Sequence, residues 1–533
     1  MSINSSWAAR GMVVAPHSLA AQAGLAVLRE GGNALEAMVA AAATISVVYP
    51  HMNGIGGDSF WLIHEPGKPA TTIDACGRAA GRATRDFYRE HKVDAIPTRG
   101  PLAANTVAGT ISGWARALRY STQQWTGRMP LARLLDDATH YAAHGIVVTK
   151  SQFANTTAKF AELKDVPGFG ARYLVDGKIP AAGSLMKQTQ LAATMRQLAK
   201  YGLADFYEGE LARSIAGDLA SLGSPLMLAD LEGQSAELRA PVKLKHHLGT
   251  LYNMAPPTQG TASLMILGIL DQLELGTVAP DSADYVHLVV EATKQAFIVR
   301  DRYITDPAFM QVDPQHLLEP HAIAKLAARI DRNTALPWNA QSRRGDTVWM
   351  GAIDGQGRAV SFIQSIYHEF GSGIVLNGSG INWQNRGCSF SLDERALNAL
   401  APRRKPFHTL NPALAVLNDG RIVVYGTMGG EGQPQTQAAM FTRYAVYGQG
   451  MQQAIAAPRW LLGRTWGQAT DTLKLEARFD PALVNELKRR GHEVEMLQAL
   501  DETVGHAGGI ARHANGALEA GFDPRSDGGA AGF

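Results

Sequence analysis

The sequence predicts an α+β protein, and three observations carry that reading. Helical periodicity dominates residues 18–302, short β-branched runs joined by turn residues dominate from about residue 345, and the 55 glycines cluster at a few places. Composition sets the outer bounds. Of 533 residues 46% are hydrophobic and 18% charged, a globular composition far from that of a disordered chain. The 50 Lys+Arg against 48 Asp+Glu leave a net charge of +2, so there is no electrostatic case for nucleic acid or an anionic membrane as partner. The length fits roughly three or four average domains or one large catalytic core.

Taken in order, residues 18–30 put Leu19, Ala23, Ala26 and Val27 at helical spacing and stop at Gly31-Gly32. Asn33 is then the expected N-cap of an Ala-rich helix. The most apolar early run, 37–49, is shorter than the roughly twenty residues a membrane helix needs and reads as a buried helix. Residues 1–18 hold one basic residue, Arg10, and no long apolar run, so a secretory peptide is not expected and a cytoplasmic protein is. The glycine-rich stretch Asn53-Gly54-Ile55-Gly56-Gly57-Asp58 breaks the chain before a strand at 59–64, with 71–74 as its partner. Helical patterns recur at 109–119, 131–144, 184–200, 209–222, 263–273 and 283–302. Two alternating runs, 347–353 and 359–366, flank Asp354-Gly355-Gln356-Gly357-Arg358 and form a hairpin. Strands at 413–417 and 421–425, turning at Asn418-Asp419-Gly420, lead into Gly426-Thr427-Met428-Gly429-Gly430.

Chemistry is narrowed by elimination. Sixteen histidines include no CxxC or HExxH spacing, so no metal is expected. Neither glycine cluster fits G-x-G-x-x-G or a P-loop, no G-x-S-x-G elbow is present, and no cofactor is expected. By itself Gly429-Gly430 reads as a tight strand-to-helix turn. Gly345-Asp346-Thr347 remains, and a lone threonine opening a strand is ordinarily a β-former.

The context of that threonine changes the reading. Gly31-Gly32-Asn33-Ala34, Gly54-Ile55-Gly56-Gly57, Ala83-Thr84-Arg85-Asp86, Pro256-Pro257-Thr258-Gln259-Gly260, Asp346-Thr347, Phe370-Gly371-Ser372-Gly373, Asn411-Pro412, Gly429-Gly430 and Asp523-Pro524-Arg525 occur in this order. Together they resemble the γ-glutamyltransferase family of N-terminal-nucleophile hydrolases over almost the whole chain. The resemblance implies a four-layer αββα sandwich. It also implies self-cleavage between Asp346 and Thr347 into a large part, 1–346, and a small part, 347–533, that share one core as an αβ heterodimer or a dimer of such heterodimers. The front part is expected to supply the helical layers with a sheet contribution, and the back part the nucleophile strand. Cleavage frees an α-amine with an ordinary pKa near 7.7–8.0, able to act as base toward the hydroxyl of its own residue. By the same resemblance Ser365, eighteen positions on, orients Thr347, and Gly429 and Gly430 offer backbone N–H groups to the oxyanion.

Substrate positions depart from the family. Cys76 stands where the family has the arginine that clamps the substrate α-carboxylate, and Gly77 where it has a glutamate. Tyr367 and Ser389 replace the asparagine and aspartate that hold the α-amine, and His408-Thr409 replace a serine pair. Arg78, Arg386 and His408 supply donors nearby, and the two arginines read either as pocket residues or as surface ion pairs. A pocket without an ammonium partner suits an acid amide lacking an α-amine, crowded by Tyr367, Trp383 and Phe407. Oxamate, converted to oxalate and ammonia, is the specific expectation. A glutaryl- or cephalosporin-type acylase, a transpeptidase and an uncleaved binding protein are the alternatives. Cys76 and Cys388 both fall near the pocket and are expected reduced.

Overall fold

The computed structural model describes residues 4–338, 346–463 and 470–533. Two seven-stranded sheets form its centre, and every pairing within them is antiparallel. One runs Gly529–Gly532, Met12–Ala15, Asp346–Ile353, Ala359–Tyr367, Asp58–His64, Thr71–Ala75, Glu237–Arg239. The other runs Ser6–Ala8, Leu518–Phe522, Ala507–Arg512, Ile422–Thr427, Ala413–Leu417, Gly249–Asn253, Val242–His246.

The period-two alternation of these strands builds the layers. Met12, Val14, Phe60, Leu62, Trp349 and Ile353 of the first sheet meet Leu414, Val424 and Ile510 of the second in one buried cluster between the sheets. The intervening Val13, Trp61, Ile63, Val348, Met350 and Val360 turn to the opposite side, against Ser18–Arg29, Ala34–Val48, Thr110–Trp125 and Asp136–His144. Leu244, Leu251, Ala415, Val423 and Ala511 face the helices Gly260–Gln272, Ala283–Tyr303 and Gly432–Phe441. The result is helix, sheet, sheet, helix. Burying each such aliphatic side chain stabilises the fold by about 1.5–3 kcal/mol. Trp349, two residues beyond the candidate nucleophile, is the anchor of its strand. Its indole N–H donates to Ser361 Oγ at 2.9 Å, and a Cβ on Gly426 or Gly508 would lie 2.2 or 2.6 Å from its ring.

Several expectations are met and others are corrected. Asn33 caps Ala34–Val48 through a full capping box, its side chain accepting from Leu35 N and Glu36 N while Glu36 accepts from Asn33 N. The helix expected from 184 begins only at Thr189, because Leu185–Met186 pairs as a short strand with Ile146–Val147. The 131–144 helix is split at Leu135. The front part, expected mainly as helices, supplies strands to both sheets, and the back part supplies helices as well as strands. Residues on either side of position 346 therefore interleave in both sheets. No helix among the described residues is long and apolar enough to cross a membrane.

Candidate active site

Thr347 lies in the Asp346–Ile353 strand and is 1% exposed; Gly345 and the side chain of Asp346 lie outside the described residues. Its pairing with Ala359–Tyr367 is irregular at this point. Asp346 opposes Tyr367 and Val348 opposes Gln364, so Ser365 and Ile366 together face Thr347. Such a bulge re-aims side chains at the end of a ladder. Ser365 Oγ accepts from Tyr367 N at 2.8 Å, and Ser365 is paired on its other side with Asp58. Tyr367 has φ +80, a conformation costly for a residue with a side chain, and the chain leaves the strand there toward Phe370-Gly371-Ser372-Gly373. The Gly54–Gly57 loop packs directly behind. A Cβ on Gly57 would stand 2.1 Å from the Ser365 carbonyl oxygen, so only glycine fits.

The Ile422–Thr427 strand of the second sheet ends in a turn at Gly429 and Gly430, with φ +114 and +52, before the helix Gly432–Phe441. Neither glycine N–H finds an acceptor among the described residues. Two unsatisfied N–H groups in a buried turn are the kind of donor that an oxyanion site requires. Gln259 braces it, donating to Gly430 O at 2.9 Å and Thr409 O at 2.7 Å, and Arg300 holds Gln259 Oε1 and Glu431. Behind the turn, Arg459 donates to Gly505 O and Asp523, and Arg525 joins Asp523 to Glu476. Facing Thr347 from the helix is Gln433, whose Nε2 lies 3.4 Å from Thr347 Oγ1.

Beside this end of the first sheet sits Arg386, 1% exposed. The Tyr367 ring covers its guanidinium at 3.3 Å, and none of its three nitrogens has a hydrogen-bond partner among the described residues. Burial lowers its pKa. His408, fully buried, has Nε2 3.2 Å from Asp58 Oδ2 and its ring edge-on to Phe60. Burial lowers the His408 pKa, opposed by Asp58, so the imidazole is neutral near pH 7. Asp58 Oδ1 accepts from Gly77 N and Gly109 N, at 2.9 and 3.0 Å.

Cys76 joins Asp58 and His408, their ligand atoms lying within 4.8 Å of one another. These are metal-ligand types, but the buried Arg386 guanidinium nearby opposes a second cation there. Burial and then Asp58 push the Cys76 thiol well up, and the Arg386 guanidinium lies within electrostatic reach of His408, Asp58 and Cys76. Both cysteines are free, Cys76 buried and Cys388 partly so.

The structure thus sets Ser365 and Tyr367 on the strand opposite Thr347, links Thr347 through Gln433 to the turn at Gly429 and Gly430, and groups Arg386 with Tyr367 and His408 with Cys76. Thr409 is buried on the Gln259 brace, with its Oγ1 unpartnered, and Ser389 ends the 386–389 turn with Oγ donating to Phe407 O at 3.4 Å. Arg78 stands apart. Its side chain is 43% exposed, bonded to Arg403 O and 3.6 Å from Glu237. Trp383, expected to crowd the site, packs into the helical core on Phe206 and donates to Thr106 O at 3.0 Å. Asp58 and Gln433 were not legible as site residues in the sequence.

A family model described as Gamma-glutamyltranspeptidase matches residues 20–533. The chain belongs to the γ-glutamyltranspeptidase family. An oxamate amidohydrolase proenzyme of Klebsiella pneumoniae is 56% identical over 531 residues, covering 99% of this chain and 100% of that protein. A glutathione hydrolase-like proenzyme of Bacillus subtilis is 40% identical, covering 98% of each. The crystal structure of cephalosporin acylase from Bacillus halodurans superposes with a TM-score of 0.89 at 31% identity, covering 100% of this chain and 97% of that one. Family membership makes this an enzyme of the N-terminal-nucleophile hydrolase type, and the αββα sandwich is the fold it shares with these γ-glutamyltranspeptidase relatives.

Proposed function

We propose that this chain cuts itself between Asp346 and Thr347 and then uses Thr347 to hydrolyse a small acid amide without an α-amino group, oxamate being the substrate that fits best. In the first event Thr347 Oγ attacks the Asp346 carbonyl, and water opens the resulting ester to leave residues 1–346 and 347–533. In turnover the freed α-amine takes the Oγ proton as Oγ bonds to the amide carbon. The oxyanion meets the N–H groups of Gly429 and Gly430, each such donor lowering the barrier by about 3–4 kcal/mol. The C–N bond breaks as the ammonium returns its proton to the leaving nitrogen, and water, deprotonated by the same amine, releases oxalate.

The observation that carries the substrate class is Arg386, a buried guanidinium whose donors lack partners among the described residues and which lies against Tyr367, the residue paired with Asp346. A carboxylate meets it with two charge-assisted bonds. Asp58 offers no counter-charge to a substrate ammonium, since its oxygens face Gly77 N, Gly109 N and His408. The amine of a glutamyl head would therefore find no free carboxylate in Asp58. The similarity to a protein named oxamate amidohydrolase proenzyme supports the same choice.

The likeness to a cephalosporin acylase favours a second reading, a longer acyl group, in the same site. Ammonia release measured across oxamate, malonamate, succinamate and glutaramate separates the two. Oxamate turned over fastest supports the proposal, and a rate rising with chain length to glutaramate overturns it in favour of an acylase.

A further inference from the structure

We propose that Gln433 is a further catalytic residue, whose carboxamide holds the hydroxyl of Thr347 with its nitrogen and the freed α-amine of Thr347 with its oxygen; this rests on the reading of Thr347 as the N-terminal nucleophile. The helix Gly432–Phe441 carries three glutamines, all buried. Two use both ends of their amides within the protein. Gln435 donates to Glu431 O and Leu462 O and accepts from Leu462 N. Gln437 donates to Asn411 O and accepts from Asn253 Nδ2 and Ser263 Oγ. Gln433 alone differs. Its Nε2 faces Thr347 Oγ1 at 3.4 Å, while its Oε1, on a residue with no exposed surface, has no donor among the described residues. Gln152, Gln188 and Gln384 also leave Oε1 without a donor among the described residues, but the amide of Gln433 is the one that reaches Thr347 Oγ1, so its open acceptor lies where a reacting group of that residue would stand.

Cleavage supplies such a group. The α-amine and β-hydroxyl of an N-terminal threonine present a donor and an acceptor side by side, the pattern a carboxamide meets with two bonds, as Asn and Gln do on adenine. During attack the amine takes the Oγ proton and becomes ammonium as Oγ bonds to the carbonyl carbon. Gln433 Oε1 then accepts from a cation where it first accepted from a neutral amine, and a hydrogen bond to a charged group is the stronger. The contact therefore strengthens in the transition state, which raises kcat and leaves KM little changed. Gln433 is positioned for this by its place one turn past Gly429 and Gly430, its own N–H donating to Gly430 O at 3.3 Å. The adjacent Glu431 is paired with Arg300.

The test uses Gln433→Leu and Gln433→Glu in full-length protein, with the cleaved fraction, melting temperature and steady-state kinetics on oxamate measured for each. Wild-type protein should yield a second chain beginning at Thr347. Gln433→Leu should lower kcat by about ten- to a hundredfold with little change in KM. Gln433→Glu is nearly isosteric and places a carboxylate against the amine. It should move the acid limb of the kcat/KM profile up by about one pH unit, a shift that a merely structural role would not produce. Wild-type kcat in cleaved Gln433→Leu, or an unmoved acid limb in Gln433→Glu, overturns the proposal, and the second variant decides alone if the first does not fold. A wild-type protein that stays uncleaved refutes the nucleophile reading instead.

Discussion

Replacing Arg386 with methionine should weaken substrate binding and stabilise the empty protein at once. The guanidinium is 1% exposed, covered by Tyr367 at 3.3 Å, and its three nitrogens find no partner among the described residues. A charge-assisted contact to a substrate carboxylate is worth about 1.5–3 kcal/mol, so its loss should raise KM for oxamate about ten- to a hundred-and-fiftyfold. The opposite effect acts without substrate. Desolvating a charge costs several kcal/mol, and stacking on Tyr367 returns only about 0.5–2 kcal/mol of that. Methionine fills similar space without a charge, so the melting temperature of the substrate-free variant should exceed that of wild type. Steady-state kinetics and thermal unfolding on the same preparation check both halves. A KM within twofold of wild type would refute the carboxylate role, and a lower melting temperature would show that the guanidinium is paired in solution.

Gly429→Ala should fold, because the nearest atom to its Cβ would be Gly505 Cα at 3.4 Å, but its φ of +114 and its N–H donor would be disturbed. The expected kcat is about a hundred- to a thousandfold lower, read by ammonia release. Gly57→Ala should fail differently, since its Cβ would lie 2.1 Å from Ser365 O, and should abolish self-cleavage or lower the melting temperature by displacing the strand that faces Thr347. Acid should destabilise the fold below about pH 6.5. Burial drives the pKa of His17 down to about 4 and those of His51 and His492 down to about 3. Between those values and 6.5 the unfolded chain binds protons that the folded one refuses, so stability is fully present above pH 6.5 and is lost by about 1.4 kcal/mol per pH unit for each histidine as pH falls. Melting temperatures unchanged between pH 7 and pH 5 would contradict this.

How much of this could be read from residues alone depends on the range of the interactions. Asn33 was legible because its cap partners lie within three positions, and the 347–366 hairpin because alternation and turn residues are local. Met12–Ala15 was not, since a four-residue apolar run buried on both faces carries no period. Val242–His246 did alternate, buried and exposed in turn, and that signal was present but short. Asp58 was hidden at the end of a glycine-rich turn. What defines it is contact with Gly77, Gly109 and His408, which lie far along the chain. Gln433 sits in a polar stretch where only the partners of Gln435 and Gln437 set it apart. Arg78 and Arg386 look alike in sequence, and only burial distinguishes the exposed ion pair from the unpartnered guanidinium.

The measurement that bears most directly on the central claim is ammonia released from oxamate by wild-type protein and by Thr347→Ala, each compared with release of p-nitroaniline from γ-glutamyl-p-nitroanilide. The account predicts oxamate turnover by the cleaved wild-type protein, little γ-glutamyl hydrolysis, and neither activity in a Thr347→Ala protein that stays a single chain. Equal ammonia release from the alanine variant, or γ-glutamyl turnover exceeding that of oxamate, would contradict it.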